Sequence, residues 1–185
     1  MKKSLSFLFA LFLCAGLFAQ EFQKGDKVLN LGLGLGTSLY SGGLYKTTIP
    51  PLSASFEVGV KDDVGPGNIG VGGYLGIAGS KYEWSGYGYN YGYKYTYFVL
   101  GARGTYHLNM MPEKLDVYGG IMPYFAIVSS SEYGTYSGTW GGAESSHVGA
   151  SIFAGARYYF TEKFAAMAEL GYGVSYLNIG VALKF

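Results

Sequence analysis

The chain has 185 residues and a formal net charge of +1, with 14% charged residues, 18% aromatic residues and 31 glycines. A chain of this length predicts one domain, and a net charge so close to zero gives no sign of a nucleic-acid partner or an acidic substrate. Beyond the N-terminal segment, the sequence has no apolar run of about 20 residues that could form a membrane helix. A soluble β-sandwich would share this composition, so the strand pattern must distinguish it from a membrane barrel.

The N-terminal residues 1–19 have the organisation of a secretory signal peptide. Two lysines precede an apolar run that ends at the small residue Ala19. We expect cleavage near Ala19–Gln20, which leaves residues 20–185 as one barrel domain. The single cysteine, Cys14, lies in the signal peptide and follows Leu13, whereas a lipidation signal requires a small residue there. We therefore expect neither a lipid anchor nor a disulfide in the mature protein.

Eight segments of the mature chain alternate between apolar residues and small or polar ones, which is the period of a β-strand. About ten alternating residues suffice to cross a bilayer when the strand is tilted. An even number of antiparallel strands that close on themselves leaves no unpaired edge in lipid. The sequence therefore predicts an all-β fold, an eight-stranded antiparallel up-and-down transmembrane β-barrel. The predicted strands lie at 27–40, 52–61, 68–82, 94–108, 115–128, 147–160, 164–174 and 176–185.

The first predicted strand indicates which face meets lipid. Its leucines, from Leu29 to Leu39, occupy one phase, and glycine or polar residues occupy the other. We expect the leucines to face lipid and the glycines to face the lumen. The same division places Phe56 and Phe98 outward in later strands. The phase of the fifth strand stays open, because Pro123 in its middle removes a ladder donor and usually marks a bulge.

The connections between the predicted strands alternate between short and long. With both termini on the inner side of the membrane, the segments 62–67, 109–114 and 161–163 become short inner turns. The other connections become surface loops at 41–51, 83–93 and 129–146, with a tight turn around Ser175.

Four charged residues fall on lumen-facing positions. Arg103 and Arg157 are the only arginines in the chain, and Glu57 and Glu169 share their level above the inner ends of the strands. We predict a salt-bridged plug in which Arg157 pairs with Glu169 across the last inner turn. The alternative is a constriction that selects ions. Since many lumen positions are glycine, either a narrow water path or inward-leaning tyrosines must occupy the remaining volume.

Aromatic residues concentrate in the predicted surface loops. Between 87 and 97, every second residue is tyrosine. Tyrosine offers a large amphipathic contact surface, so an exposed row would suit the recognition of a surface glycan or protein. Alternatively, the rings pack against neighbouring strands or cap the barrel mouth. The candidate recognition residues are Trp84, Tyr87, Tyr89, Tyr91, Tyr93, Tyr133, Tyr136 and Trp140.

Catalytic and metal sites are not indicated. A second alternative function is a barrel enzyme that modifies lipid A, for which His147 with Ser145, Ser146 and Glu144 would be the candidate set. Neighbouring residues on a strand point to opposite faces, so these groups do not converge as a Ser–His–carboxylate set must. His107 near the inner rim is expected to be a hydrogen-bonding lumen residue. We therefore predict no enzymatic activity, no metal and no cofactor.

The last predicted strand ends in YLNIGVALKF, in which apolar residues alternate back from the terminal aromatic residue. This segment resembles the C-terminal signal by which the barrel-assembly machinery recognises outer-membrane barrels of Gram-negative bacteria. The residues of the candidate assembly signal are Leu177, Ile179, Val181, Leu183 and Phe185.

Three stretches, GARGTYHL at 101–108, LDVYGGIMPY at 115–124 and residues 155–185, carry a wider resemblance. The chain resembles the small porin-like outer-membrane β-barrel family that includes OmpX, the opacity proteins and the membrane domain of OmpA. The resemblance implies a monomer in the cell outer membrane, in contact with membrane lipid and lipopolysaccharide. Because such proteins share the barrel and differ in their loops, the predicted role is envelope structure or surface recognition, with a narrow diffusion channel as the alternative.

Overall fold

The computed structural model describes residues 22–40, 45–86, 89–109, 112, 114–134 and 145–185, so the predicted signal peptide lies outside the described residues. Within these ranges, no helix is long and apolar enough to cross a membrane. The described strands are β1 (Lys27–Leu35), β2 (Tyr45–Val64), β3 (Gly67–Gly86), β4 (Tyr89–Leu108), β5 (Leu115–Gly134), β6 (His147–Tyr159), β7 (Phe164–Tyr172) and β8 (Leu177–Lys184).

The eight strands form one closed antiparallel barrel in which each strand pairs with its neighbours in sequence and β8 pairs with β1. Leu31, for example, lies opposite Ala54 of β2 and Val181 of β8. Because the sheet closes on itself, β1 and β8 leave no edge at the seam. The predicted fold class, an eight-stranded antiparallel up-and-down barrel, is confirmed.

The outer face of the barrel is apolar. Large apolar side chains such as Ile121, Ile152 and Leu170 are 63–65% exposed there, whereas the alternate residues are mostly buried inside the barrel, as a transmembrane barrel requires. Pro123 lies on the outer face and introduces no register shift, since β5 keeps one register with β4 on either side of it. Ile121 and Phe125 consequently point outward.

The predicted first strand extends too far. In the structure β1 ends at Leu35, and Gly36 adopts a positive φ of 70° that few other residues tolerate. The chain then turns into the barrel mouth. Leu39, which the alternation places toward lipid, is 7% exposed and packs in the interior.

Strands β2, β3, β4 and β5 are much longer than the predicted segments. Each has 20 residues, whereas the other strands have 8 to 13. Pairing of β2 with β1 stops at Leu52, and pairing of β5 with β6 stops at Ala126. Beyond these levels, residues 45–51, 78–86, 89–97 and 128–134 form a four-stranded extension, here called the projecting sheet. Much of what the sequence predicts as surface loop is therefore strand.

Candidate functional site in the barrel interior

Among the described residues, six arginine, histidine, aspartate and glutamate side chains lie at one level of the interior, here called the charge layer. They come from five strands, and each occupies the inward phase of its strand, so the barrel itself brings them together. All six are less than 8% exposed. The members are Glu57, Arg103, His107, Asp116, Arg157 and Glu169.

Arg157 is the centre of the larger ion-pair group. Its guanidinium binds the carboxylates of Glu57 and Asp116, the latter over 2.9 Å between Nη1 and Oδ2. Its Nε donates to Oδ1 of Asn30 over 3.0 Å, and the guanidinium lies 4.4 Å from the centre of the Tyr118 ring. Every side of this cation therefore meets an acceptor or an aromatic face, which is the condition for burying a charge at tolerable cost.

Arg103 forms the second group. Its guanidinium binds the Glu169 carboxylate and donates to Oγ of Ser55 over 3.3 Å. Glu169 also accepts from the hydroxyl of Tyr118 over 2.9 Å. The sequence predicts a pair between Arg157 and Glu169, but in the structure Glu169 lies opposite Gly155 and reaches Arg103 across the lumen. Long side chains in a narrow barrel therefore pair across the interior as well as along the sheet.

His107 links the acidic members of the charge layer. Its Nδ1 lies 2.7 Å from Oδ1 of Asp116, and its Nε2 lies 2.7 Å from Oε1 of Glu57. A histidine with a carboxylate at each nitrogen can donate to both when it is the charged imidazolium. In that state the charge layer has three cations and three carboxylates.

Asp116 is the member that the sequence interpretation missed. It shares the phase of Tyr118, Met122 and Tyr124, all of which are buried inside the barrel. The sequence alone leaves the inward or outward phase of the fifth strand undecided, because Pro123 lies in its middle. The alternation of residues 116–122, which precede Pro123, is nevertheless enough to propose Asp116 as a lumen carboxylate.

The segment 22–26 lies across the inner mouth of the barrel and is called here the inner-mouth segment. The ring of Phe22 is 2% exposed and stacks on His107 with a centroid distance of 3.9 Å. The Phe22 carbonyl accepts from Nδ2 of Asn68 over 2.6 Å, and the Gly25 amide donates to the Gly59 carbonyl over 2.9 Å. A Cβ on Gly59 would lie 2.1 Å from the carbonyl oxygen of Gln23, so only glycine permits this approach.

Tyrosines fill much of the interior above the charge layer, and glycines make room for them. A Cβ on Gly149 would lie 2.4 Å from Cζ of Tyr124, and one on Gly155 would lie 2.8 Å from Cζ of Tyr118. Tyr97 is fully buried and stacks on Tyr40 at 5.7 Å. Inward-leaning tyrosines, one of the two sequence-based alternatives for the lumen volume, are therefore present among the described residues.

The outer mouth is also occupied. Leu39 and Val174 are buried there, the Thr37 hydroxyl donates to the Val174 carbonyl, and the Gly173 amide donates to Oγ of Ser38 over 2.8 Å. Between this cap and the Arg103 ion pair lies a cavity of about 30 Å³, more than the roughly 10–15 Å³ that one water molecule needs.

The candidate recognition residues do not form one exposed row. Tyr93 is 6% exposed and packs inside with Tyr95, which corrects its placement among the surface residues. Tyr133 is half-buried on the outer face. The backbones of Trp84, Tyr89 and Tyr91 lie in β3 and β4, and Tyr87, Tyr136 and Trp140 lie outside the described residues.

The histidine and serines near the start of β6 do not form a nucleophile and base among the described atoms. His147 is exposed, and its Nδ1 lies 3.2 Å from the backbone carbonyl of Ser145. Oγ of Ser146 accepts from the Val128 amide over 3.0 Å. Glu144 lies outside the described residues.

The last strand keeps its candidate assembly residues in the outward phase. Asn178, Ala182 and Lys184, the alternate residues, are buried inside, and Phe185 is 69% exposed. Lys184 binds Oδ2 of Asp26 over 2.7 Å, which ties β8 to the inner-mouth segment. The outward residues in question are Leu177, Ile179, Val181, Leu183 and Phe185.

No protein-family model and no curated protein matches this chain. Among solved structures, the crystal structure of Ail from Yersinia pestis, in complex with the heparin analogue sucrose octasulfate, is similar with a TM-score of 0.51 and 15% identity over 88% of this chain and 100% of Ail. The N-terminal β-barrel domain of Pseudomonas aeruginosa OprF gives a TM-score of 0.49 and 18% identity over 88% of this chain and 98% of that domain. At such identities the likeness to Ail concerns the fold, and the chain has the eight-stranded barrel fold of the small outer-membrane proteins.

Proposed function

We propose that this protein is a non-enzymatic barrel of the cell outer membrane, with a closed lumen and a surface role carried by the projecting sheet. The exposed apolar outer face supports the membrane placement, because a soluble protein rarely leaves such a large apolar surface uncovered. The barrel is inserted by the barrel-assembly machinery of a Gram-negative bacterium, acts as a monomer and contacts lipopolysaccharide. The signal peptide at 1–19 and the apolar C-terminal strand support this route.

The charge layer is the observation that supports a closed lumen. Glu57 and Arg157 are 0% exposed although they come from strands four positions apart in the barrel. An eight-stranded barrel is just wide enough for its own side chains to fill it. Below the layer lies Phe22, and above it lie the tyrosines and the Leu39 cap.

The surface role follows from the projecting sheet. It extends β2 to β5 beyond the level at which the other strands end, so it stands outside the apolar belt. Membrane crossing alone does not explain strands of this length, because about ten residues suffice to cross a bilayer. Ail, which shares the fold, was crystallised with a heparin analogue. A surface glycan or protein is therefore the ligand class we propose here.

Conductance of the purified protein in a planar lipid bilayer tests the closed lumen. We expect a silent barrel, with openings in the Arg103→Ala and Arg157→Ala variants, because each substitution removes a side chain that spans the interior. Discrete openings in the unmodified protein, changed in size or ion selectivity by these substitutions, would instead establish the narrow diffusion channel.

A shortened hairpin tests the surface role. Tyr82 and Tyr93 lie directly opposite each other, so an Asn-Gly turn can replace residues 83–92 and close the hairpin there. Cells that display the shortened protein should lose adhesion to glycan-coated or protein-coated surfaces, while the amount of folded barrel in the outer membrane stays the same. Equal adhesion by both forms would remove this hairpin from the recognition surface.

A further inference from the structure

Three lysines lie side by side on the outer face of the projecting sheet. Lys81 of β3 is directly opposite Lys46 of β2 on one side and Lys94 of β4 on the other. Because directly opposed residues of antiparallel strands share a face, all three ammonium groups project from the same side. Lys46 and Lys94 are exposed, and Lys81 is partly exposed. We call these residues the lysine row.

Like charges directly opposite each other destabilise a sheet, and the lysine row contains two such contacts in succession. Within the described ranges, the carboxylate in ion-pair contact with the row is Glu83, whose Oε2 lies 2.9 Å from Nζ of Lys81. Neither Lys46 nor Lys94 has a described carboxylate within ion-pair distance. The row therefore retains a net positive charge.

Lys94 is held toward the outer face by an aromatic neighbour. Its Nζ lies 5.4 Å from the centre of the Tyr133 ring, within the distance of a cation–π contact. Tyr133 lies opposite Gly92, where a Cβ would come within 2.6 Å of its ring. The glycine thus lets the ring lie flat on the sheet beside the ammonium group.

The height of the lysine row matches the headgroup region of a membrane. On the outer face, Ile77, Phe98 and Ile127 form a paired apolar row, and Ile49 of β2, opposite Gly79 of β3, lies one step above it. Lys81 lies two residues beyond Gly79 on β3, about 7 Å along the strand at roughly 3.3 Å per residue. With a strand tilt of about 40° this is about 5 Å along the membrane normal, within the headgroup region, which is roughly 5–7 Å deep on each side of the hydrocarbon core.

The outer face below the row can accommodate acyl chains. An apolar groove of about 380 Å³ lies lower on the same strands, lined by residues that include Phe56, Gly73, Leu75 and Leu100. Gly73 leaves this groove open, because a Cβ built there meets nothing within 4 Å. A ligand with phosphate groups above and acyl chains below would meet both features, whereas a soluble anion would meet the row alone.

We propose that the lysine row binds the phosphate groups of a lipid A-type lipid in the outer leaflet. This inference rests on the proposed placement of the barrel in an outer membrane. Three neighbouring ammonium groups offer several donors to phosphate oxygens, and each lysine near an anionic membrane surface strengthens binding by a factor of about five. Glu83 sets the upper limit of the site, since its carboxylate repels phosphate.

The test measures retention of diphosphoryl lipid A by the purified full-length protein in detergent micelles, by native mass spectrometry at increasing salt. The triple variant Lys46→Gln, Lys81→Gln, Lys94→Gln should bind about a hundredfold more weakly. Replacement of the same three lysines by arginine should keep the affinity. The matched control is Lys27→Gln, Lys61→Gln, Lys163→Gln, which removes the same charge from exposed positions at the inner rim.

Equal binding by the glutamine triple variant and the unmodified protein would overturn the inference, as would equal binding of fully dephosphorylated lipid A. Loss of binding in the inner-rim control would overturn it too, because the effect would then be one of overall charge. A soluble sulfated glycan that needs the row while lipid A does not would assign the row to a different ligand. Failure of the unmodified protein to insert into bilayers would contradict the proposed function itself.

Discussion

The guanidinium of Arg157 and the carboxylate of Glu57 form an ion pair in which both side chains are 0% exposed. The two residues come from β6 and β2, so the contact spans the barrel interior. A buried charge that loses its partner costs far more than an exposed one, because water cannot replace the partner. This relationship makes the charge layer sensitive to the substitution of any one of its members.

Replacing Arg157 with methionine keeps most of the side-chain volume but leaves the carboxylates of Glu57 and Asp116 with His107 as their remaining shared partner. We expect the free energy of unfolding to fall by about 3–5 kcal/mol, the usual cost of breaking a buried pair. Urea unfolding of the barrel in lipid vesicles, followed by aromatic fluorescence, measures this change. Lys163→Gln in the exposed inner turn is the control. A comparable loss of unfolding free energy in both variants would show that the buried ion pairs stabilise the barrel no more than an exposed charge does.

The pair between Arg103 and Glu169 should show strong coupling in a double-mutant cycle. We expect Arg103→Met and Glu169→Gln each to destabilise the barrel, and the double variant to lose at least about 1 kcal/mol less than the sum of the two. The exposed pair of Lys81 and Glu83 provides the comparison, and we expect no measurable coupling there. Additive effects at Arg103 and Glu169 would contradict the contact.

Phe22→Ala should weaken the inner mouth. The substitution removes the ring that stacks on His107, and truncation of a buried phenylalanine costs about 3–5 kcal/mol in a well-packed core. We expect a loss toward the lower end of this range together with transient conductance, because His107 of the charge layer loses the ring that stacks on it. Gln23→Ala, at an exposed neighbouring position, should leave both stability and conductance unchanged. A silent and fully stable Phe22→Ala barrel would show that the ring does not close the mouth.

Gly149→Ala should destabilise the barrel by about 1–3 kcal/mol through overpacking, because the added Cβ meets the Tyr124 ring at 2.4 Å. Combining it with Tyr124→Leu should recover part of the loss. Gly73→Ala is the matched control, since its Cβ points into open space and alanine restricts the unfolded chain. Thermal unfolding of the three variants gives the comparison, and equal midpoints for Gly149→Ala and Gly73→Ala would refute the steric account.

Phe185→Ala should affect assembly more than stability. The ring is 69% exposed on the outer face, so its loss removes few contacts within the barrel. We expect less folded protein in the outer membrane of cells but nearly unchanged unfolding in lipid vesicles. Gel mobility of folded and unfolded forms quantifies the first, and urea unfolding the second. Leu177→Ala tests a second candidate assembly residue in the same way. Normal assembly of both variants would argue against the C-terminal signal.

Period-two alternation predicted the barrel well because lipid on one side and packed side chains on the other impose opposite demands on neighbouring residues. The leucines from Leu29 to Leu35 illustrate this. Alternation does not show how far a strand continues past the membrane, which is why the projecting sheet was interpreted as loops. It also does not show whether one face of a strand is covered by other side chains. Tyr93 was therefore placed with the surface residues, although it is buried.

The interior was predicted only in part for a related reason. Arg103 and Arg157 are recognisable as lumen residues from phase alone, but their partners depend on which side chains reach across the barrel. Asp116 was obscured by Pro123, which disturbs the expected ladder but not the observed register. Phe22 precedes the first strand, where alternation carries no information, and its place in the mouth depends on the glycine at position 59.

The seam between β1 and β8 has a consequence for how the polypeptide folds. The amide of Phe185 donates to the carbonyl of Lys27, and Lys184 binds Asp26. These contacts of β1 and the inner-mouth segment can form only after β8 has been synthesised. A barrel in which the first strand pairs with the last has a high contact order, and such folds form slowly. A chain that stops before β8 would keep two open edges, and such edges invite association with other chains. The final strand thus decides whether the folded chain exposes a strand edge, because only a chain that includes β8 can form the closed barrel.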